Sequence, residues 1–308
     1  MATMTQRYSF GHWLRQRKPI LWVALLLANC SNVQHVQLGR ESPPFGPFGA
    51  PYILAELGPG QNPTLTSDLL ELYFTSTKPD NPDRHAIWVA KRTNSHDVFG
   101  KPELVPVVNS LNEDSSGAIS ADGLTLWFSS NRTVGSNGMD IWASTRPDRS
   151  STWSDPLEVP ALNTSGNDLP RPSGNHGRQM PLSSTSSGGY YQLKLATRDS
   201  TASAFDAPVP IVELEDAANM RFDGFLTDDG TMLLFNDESA DSTHGEIMRT
   251  WRLSEHDAFA APVSVGEGLN GPTRNRDPWL SPDGTHFYFA SDRTGEFMIY
   301  EADIDNDR

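Results

Sequence analysis

The 308-residue sequence contains one cysteine, Cys30, which excludes an internal disulfide framework and any multi-thiolate metal site. Basic charge is scarce too. Lys and Arg number 24 against 39 Asp and Glu, for a net charge of -15. That sign argues against a nucleic-acid backbone or an anionic membrane surface as partner. The one unbroken apolar run, Ile20 to Ala28, falls short of the roughly 20 residues a bilayer span requires. Beyond it, no long stretch carries an apolar stripe at helical spacing. The eight His show no H-E-x-x-H or other paired-ligand spacing, so no metal site is expected. No G-x-S-x-G nucleophile elbow and no phosphate-cradling glycine loop occur, and no cofactor is expected.

What is abundant points to an all-β fold. Eight Trp, fourteen Phe and seven Tyr accompany 24 Gly and 23 Pro, the composition of many short strands and turns. A unit recurs along the chain, clearest at Ile119 to Arg146 and Leu280 to Ala302, and next at Leu226 to Arg252. Leu65 to Arg92 keeps the pattern with Leu69 in place of Gly. Ser173 to Arg198 is the weakest copy, with His176-Gly177 in place of Asp-Gly. An aromatic-x-x-Pro signal precedes each copy: Phe48-Pro51, Phe99-Pro102, Trp153-Pro156, Phe205-Pro208 and Phe259-Pro262. Arg92, Arg146, Arg198 and Arg252 close the later strands on the same ruler, read as structural positions on the blade surface. A fixed period of about fifty residues with about four strands each is a propeller signature. Five copies predict a five-bladed β-propeller of about four antiparallel strands per blade. The N-terminal strand, Phe48 to Leu54, is expected to complete the last blade and close the ring.

Three segments follow. Residues 1–29 read as a signal peptide, with Arg7, Arg15, Arg17 and Lys18 ahead of the apolar run and no acidic residue. Residues 30–44 form a Pro/Gly-rich tether, and 45–308 the propeller. Leu27-Ala28-Asn29-Cys30 resembles a bacterial lipoprotein cleavage box, departing at Asn29, where a small residue is usual. The resemblance implies lipidation of Cys30 and, through Ser31, anchoring at the outer membrane on the periplasmic side of the cell envelope. The alternative is an ordinary signal peptide with an incidental cysteine.

The unit S-x-D-G-x-x-x-x-F-S-S-N-R followed by D-I-W is carried by Ser120, Asp122, Gly123, Phe128 to Arg132, and Asp140 to Trp142. It resembles the WD-like propeller repeat of TolB and related bacterial envelope proteins, over roughly residues 45 to 304. The resemblance implies a fold first and a function only by analogy. Asp122, Asp229 and Asp283 are expected in two-residue Asp-Gly turns. Phe74, Phe128, Phe235 and Phe289, with Leu182 in the weak copy, form one column expected to pack between blades.

A second column lies six residues before the turn aspartate: Asn62, Ser116, Pro170, Asp223 and Asp277. It leads into the innermost strands, so its side chains are expected to converge on the channel. With Asp168, Arg171, His176, Arg221, Arg276 and Trp279 nearby, this could form a polar pocket for a sugar, a peptide end or another small polar ligand. Mutual ion pairing around the channel mouth is the plainer alternative. The third copy breaks the rule, since Pro181 falls inside an expected strand and must displace or bulge it. Two functions remain. The first is a non-enzymatic envelope propeller that binds a partner protein or small ligand, monomeric by default. The second is a glycoside hydrolase using Asp114, Asp168, Asp223 and Asp277 as general acid and base or nucleophile, facing each other across an open pocket.

Overall fold

A computed structural model describes residues 45–133, 138–185, 189–216 and 218–305. The proposed signal peptide, Cys30 and the tether lie outside them. A short first strand, β1 (Tyr52–Ile53), precedes five four-stranded antiparallel sheets arranged as the blades of a propeller. Blade 1 holds β2 (Gln61–Leu65), β3 (Glu71–Thr77), β4 (His85–Lys91) and β5 (Glu103–Leu104). Blade 2 holds β6 (Asp114–Ile119), β7 (Thr125–Ser130), β8 (Asp140–Thr145) and β9 (Leu157–Glu158). In blade 3 the strands are β10 (Asp168–Pro170), β11 (Gln179–Thr185), β12 (Tyr191–Thr197) and β13 (Val209–Pro210). Blade 4 runs β14 (Asn219–Leu226), β15 (Met232–Ser239), β16 (Gly245–Trp251) and β17 (Val263–Ser264). The last blade has β18 (Asn275–Leu280), β19 (His286–Ser291) and β20 (Met298–Asp303), and its fourth strand is β1. Tyr52 pairs with Glu301 and Ile53 with Tyr300, so the N-terminal strand closes the ring as its repeat phase demands.

The aromatic column is the core. Phe74, Phe128, Leu182, Phe235 and Phe289 are all buried and sit in clusters that join one blade to the next. Burial of each such side chain contributes about 1.5–3 kcal/mol. The residue after it works across the same seam. Thr75 Oγ1 accepts from the Ser116 amide, Ser183 Oγ from the Asp223 amide and Asn236 Oδ1 from the Asp277 amide.

Two expectations need correction. The arginine column is not on the blade surface: Arg146 and Arg252 are buried, reaching Glu71 and Gln179 of the preceding blade. Each guanidinium also lies over the aromatic of its own aromatic-x-x-Pro signal, Trp153 and Phe259. An Arg buried on an aromatic face and paired across a seam joins blades.

The Asp-Gly turns are also longer than two residues. Only the glycines adopt positive φ (76° at Gly123, 69° at Gly230, 72° at Gly284). The Gly123 amide donates to the Ser120 carbonyl, while the Asp122 carboxylate accepts from the Leu124 amide. The weakest copy also holds a longer loop, Asn175 to Arg178 inside the Gly174–Gln179 bridge, but with a different turn. There His176 and Gly177 both have positive φ, and the Arg178 amide donates to the Asn175 carbonyl, the geometry of a type I′ turn.

Candidate functional site

The column Asn62, Ser116, Asp223 and Asp277 shares one backbone state, with φ of 54°, 52°, 52° and 60°. Each sits where its inner strand loses register against the next strand, a β-bulge that turns the residue toward the channel axis. Asn and Asp tolerate this left-handed state better than most residues. Proline cannot adopt it, because its ring fixes φ near −65°. Blade 3 carries Pro170 in this column and has no bulge in its inner strand. Its β10 ends there, and the Arg171 amide donates to the Pro181 carbonyl. The reciprocal bond of that pair is impossible because Pro181 has no N–H. The chain therefore leaves the sheet at Arg171.

That departure fills the axis. Arg171 is fully buried, and its Nη2 donates to the Pro278 carbonyl of blade 5 at 3.0 Å. Its Nε and Nη1 have no hydrogen-bond partner in the protein, and neither does Oδ1 of Asp223. Asp223 and Asp277 are buried against one another. Burial, and then the Asp277 charge, push the Asp223 carboxyl well above the ordinary carboxylate range, with Arg171 and Arg276 opposing the shift. Asp277 in turn accepts from the Asn62 amide and from Asn62 Nδ2, each at 2.9 Å.

Apart from Arg276, whose charge acts on Asp223, the remaining sequence-picked residues do not join this cluster. Asp114 accepts from Ser130, the Ser110 amide, Arg132 and Lys78. Burial alone would raise its carboxyl, but these hydrogen bonds and the Arg132 charge hold it below the ordinary range. Asp168 is tied to Thr164 and Ser184, and burial pushes its carboxyl up despite those bonds. Arg221 pairs with Asp216 and Asp237, and Arg276 with Glu238 while lying over Phe297. His176 is exposed and pairs with Asp228. Trp279 is buried against Phe225 and Tyr288.

An open cavity of about 470 Å³ lies one layer further along the inner strands, at the end where they run into the turns. All five blades line it. Its buried walls include Leu65, Ile119, Pro172, Phe225 and Trp279, while Ser67, Ala121, Asp228, Asp229 and Asp283 are exposed at the rim. This size is within the range of small-ligand pockets. Among the sequence-picked residues only His176 and Trp279 line it. The rim aspartates are ordered. Asp229 accepts from Thr227 Oγ1 and the Thr231 amide, and Asp283 from Ser281 Oγ and the Thr285 amide. Partial burial would raise both carboxyls, but these bonds hold them below the ordinary range.

The rim is fixed to its neighbours by backbone contacts. The Asn175 and His176 amides donate to the Thr227 and Asp228 carbonyls of blade 4. Gly174 allows that approach, since a Cβ there would meet the Leu226 and Thr227 carbonyl oxygens at 2.4 and 2.5 Å. Gly174→Ala is expected to cost about 1–3 kcal/mol, as overpacking against backbone does. Chemical denaturation measures it, and a loss below about 0.5 kcal/mol would show that the loop yields freely.

No protein-family model and no curated protein matches the sequence. Solved structures do match the fold. The catalytic domain of an alpha-L-arabinofuranosidase from Coprinopsis cinerea aligns with TM-score 0.54 at 10% identity, covering 85% of this chain and 98% of that one. TolB from Acinetobacter baumannii aligns with TM-score 0.46 at 15% identity, covering 79% of this chain. A sialidase from Trypanosoma rangeli aligns with TM-score 0.45 at 9% identity over 76% of this chain. The chain spans 54% of the TolB length and 44% of the sialidase length. At these identities the likeness is one of fold, and that fold is the five-bladed β-propeller.

Proposed function

We propose that this chain is a non-enzymatic binding propeller of the bacterial cell envelope, with its ligand site in the funnel at the central channel. The observation that carries the reading is the open cavity lined by all five blades, beside an axis filled with buried polar side chains. Glycoside hydrolysis needs two carboxyl groups flanking a sugar bond in an accessible pocket. Asp223 and Asp277 are buried against one another and do not line the funnel, while Asp114 and Asp168 are taken up by structural hydrogen bonds and, for Asp114, ion pairs with Arg132 and Lys78. The arrangement therefore favours binding over hydrolysis. Anchoring through a lipidated Cys30 and an envelope-protein, sugar or peptide partner belong to the same proposal.

A thermal-shift screen of the full chain against oligosaccharides and short peptides tests it. A ligand at a hundred times its Kd contributes about 2.7 kcal/mol. That corresponds to a rise of roughly 5–10 °C for a domain of this size. Ala121→Trp, which places bulk at the exposed rim, should abolish the shift. A shift that survives this substitution would move the site elsewhere. Release of sugar reducing ends by the wild type, lost in Asp223→Asn, would replace binding with hydrolysis.

A further inference from the structure

Resting on the funnel as the ligand site, we infer that its occupant is a peptide segment in which an aromatic or aliphatic residue adjoins a lysine or arginine. The walls and the rim make different demands. Leu65, Ile119, Pro172, Phe225, Trp279 and Leu280 are buried wall residues with no side-chain charge. A sugar's hydroxyls would lose water against that surface without replacement hydrogen bonds, which is unfavourable for each group left unpaired. An aromatic or branched aliphatic side chain gains from the same burial.

The rim carries charge of one sign and on one side. Asp228 and Asp229 come from blade 4 and Asp283 from blade 5, whereas blades 1 and 2 contribute Ser67 and Ala121. No lysine or arginine lines the cavity among the described residues. His176, from blade 3, is already paired with Asp228. An apolar group seated against Leu65, Ile119 and Trp279 thus has a cation-seeking edge beside it on the side of blades 4 and 5. The whole chain, at a net charge of -15, adds long-range attraction of the same sign. A free sugar meets neither demand, and an acidic peptide fails the second.

Calorimetric titration of the full chain with three capped tripeptides, acetyl-Lys-Phe-Leu-amide and its Gln and Glu counterparts, tests the inference. The Lys peptide should bind about tenfold tighter than the Glu peptide at low salt, with Gln between. The ranking should collapse at high salt, where screening is nearly complete over a few ångströms. The triple variant Asp228→Asn, Asp229→Asn and Asp283→Asn should lose the ranking, because Asn keeps a side-chain acceptor oxygen and removes only the charge. Equal affinities in the wild type, or a ranking that survives in the variant, would overturn the charge preference while leaving the funnel in place. Failure of all three peptides to bind would overturn a peptide as the occupant. If, in addition, no ligand in the thermal-shift screen depended on Ala121, the funnel itself would fall.

Discussion

Asp277→Ala should lower the stability of the propeller by about 3 kcal/mol, close to 10 °C in melting temperature. The loss is concentrated at one seam. At three other seams a side chain following the aromatic column, that of Thr75, Ser183 or Asn236, accepts from the amide of the next blade's axial residue, and between blades 2 and 3 Ser129 Oγ donates to the Asp168 carbonyl. Blade 5 has Ala290 at that position, which offers no acceptor. Asp277 takes over, receiving both the amide and the side-chain nitrogen of Asn62. Its removal strands two buried donors and leaves alanine at a φ of 60°, which costs roughly 1–2 kcal/mol more. Relief of the neighbouring Asp223 offsets part of this. Ser116→Gly is the matched comparison, at a φ of 52° with its amide still bonded to Thr75, and should be close to neutral. Urea unfolding of both variants decides the matter. A loss in Asp277→Ala no larger than in Ser116→Gly would mean the seam has another fastening.

The adjacent Asp223→Asn should act in the opposite direction, stabilising the fold by about 2–3 kcal/mol near neutral pH. The carboxyl is buried, has one oxygen without a partner, and faces Asp277, Arg171 and Arg276. Its folded-state affinity for the proton is raised. As pH climbs past the ordinary carboxylate range the unfolded chain releases this proton while the folded chain retains it, so stability falls with rising pH. Asparagine mimics the protonated form: its oxygen can accept from Asn236 Nδ2, and its nitrogen can face Asp277. It also suits the φ of 52°. The gap in melting temperature between variant and wild type should therefore be small near pH 4 and widen toward neutrality. A gap of constant size, or a destabilised variant at pH 7, would show that Asp223 is ionised and compensated in the fold.

The blades could be read from the chain because their period, turn glycines and phenylalanine column are local and repeated. The exchange of β1 for the missing fourth strand followed from the phase of the repeat alone. The axial column was equally visible as a position. What the sequence did not reveal was burial, because Asp223 and Asp277 read alike whether they face solvent or each other. The funnel was missed for a related reason. Leu65, Ile119, Leu226 and Leu280 have the look of ordinary strand-core residues, and nothing local says that the ring leaves a gap between them. A signal existed two residues after the axial column, where Thr64, Ala118 and Pro172 are small while Phe225 and Trp279 are large. Such uneven bulk would leave an off-centre hollow. The proline-rich third copy was legible as an exception, and Pro170 and Pro181 explain it, but only the assembled ring shows that the exception sends Arg171 across to Pro278.

The pairing of the first strand with the last also sets an order of events. Asn62 and Asp277 lie 215 residues apart, and the contacts of β1 with β20 span still more of the chain. Blades 1 to 4 each contain their own four strands and can form from sequence neighbours, at low loop-closure cost. Blade 5 cannot. Until β20 has been synthesised, the first strand has no partner and the ring stays an open arc with exposed edges. Completion thus waits for β20, and a chain truncated before it would present an unpaired edge to every other copy in its surroundings.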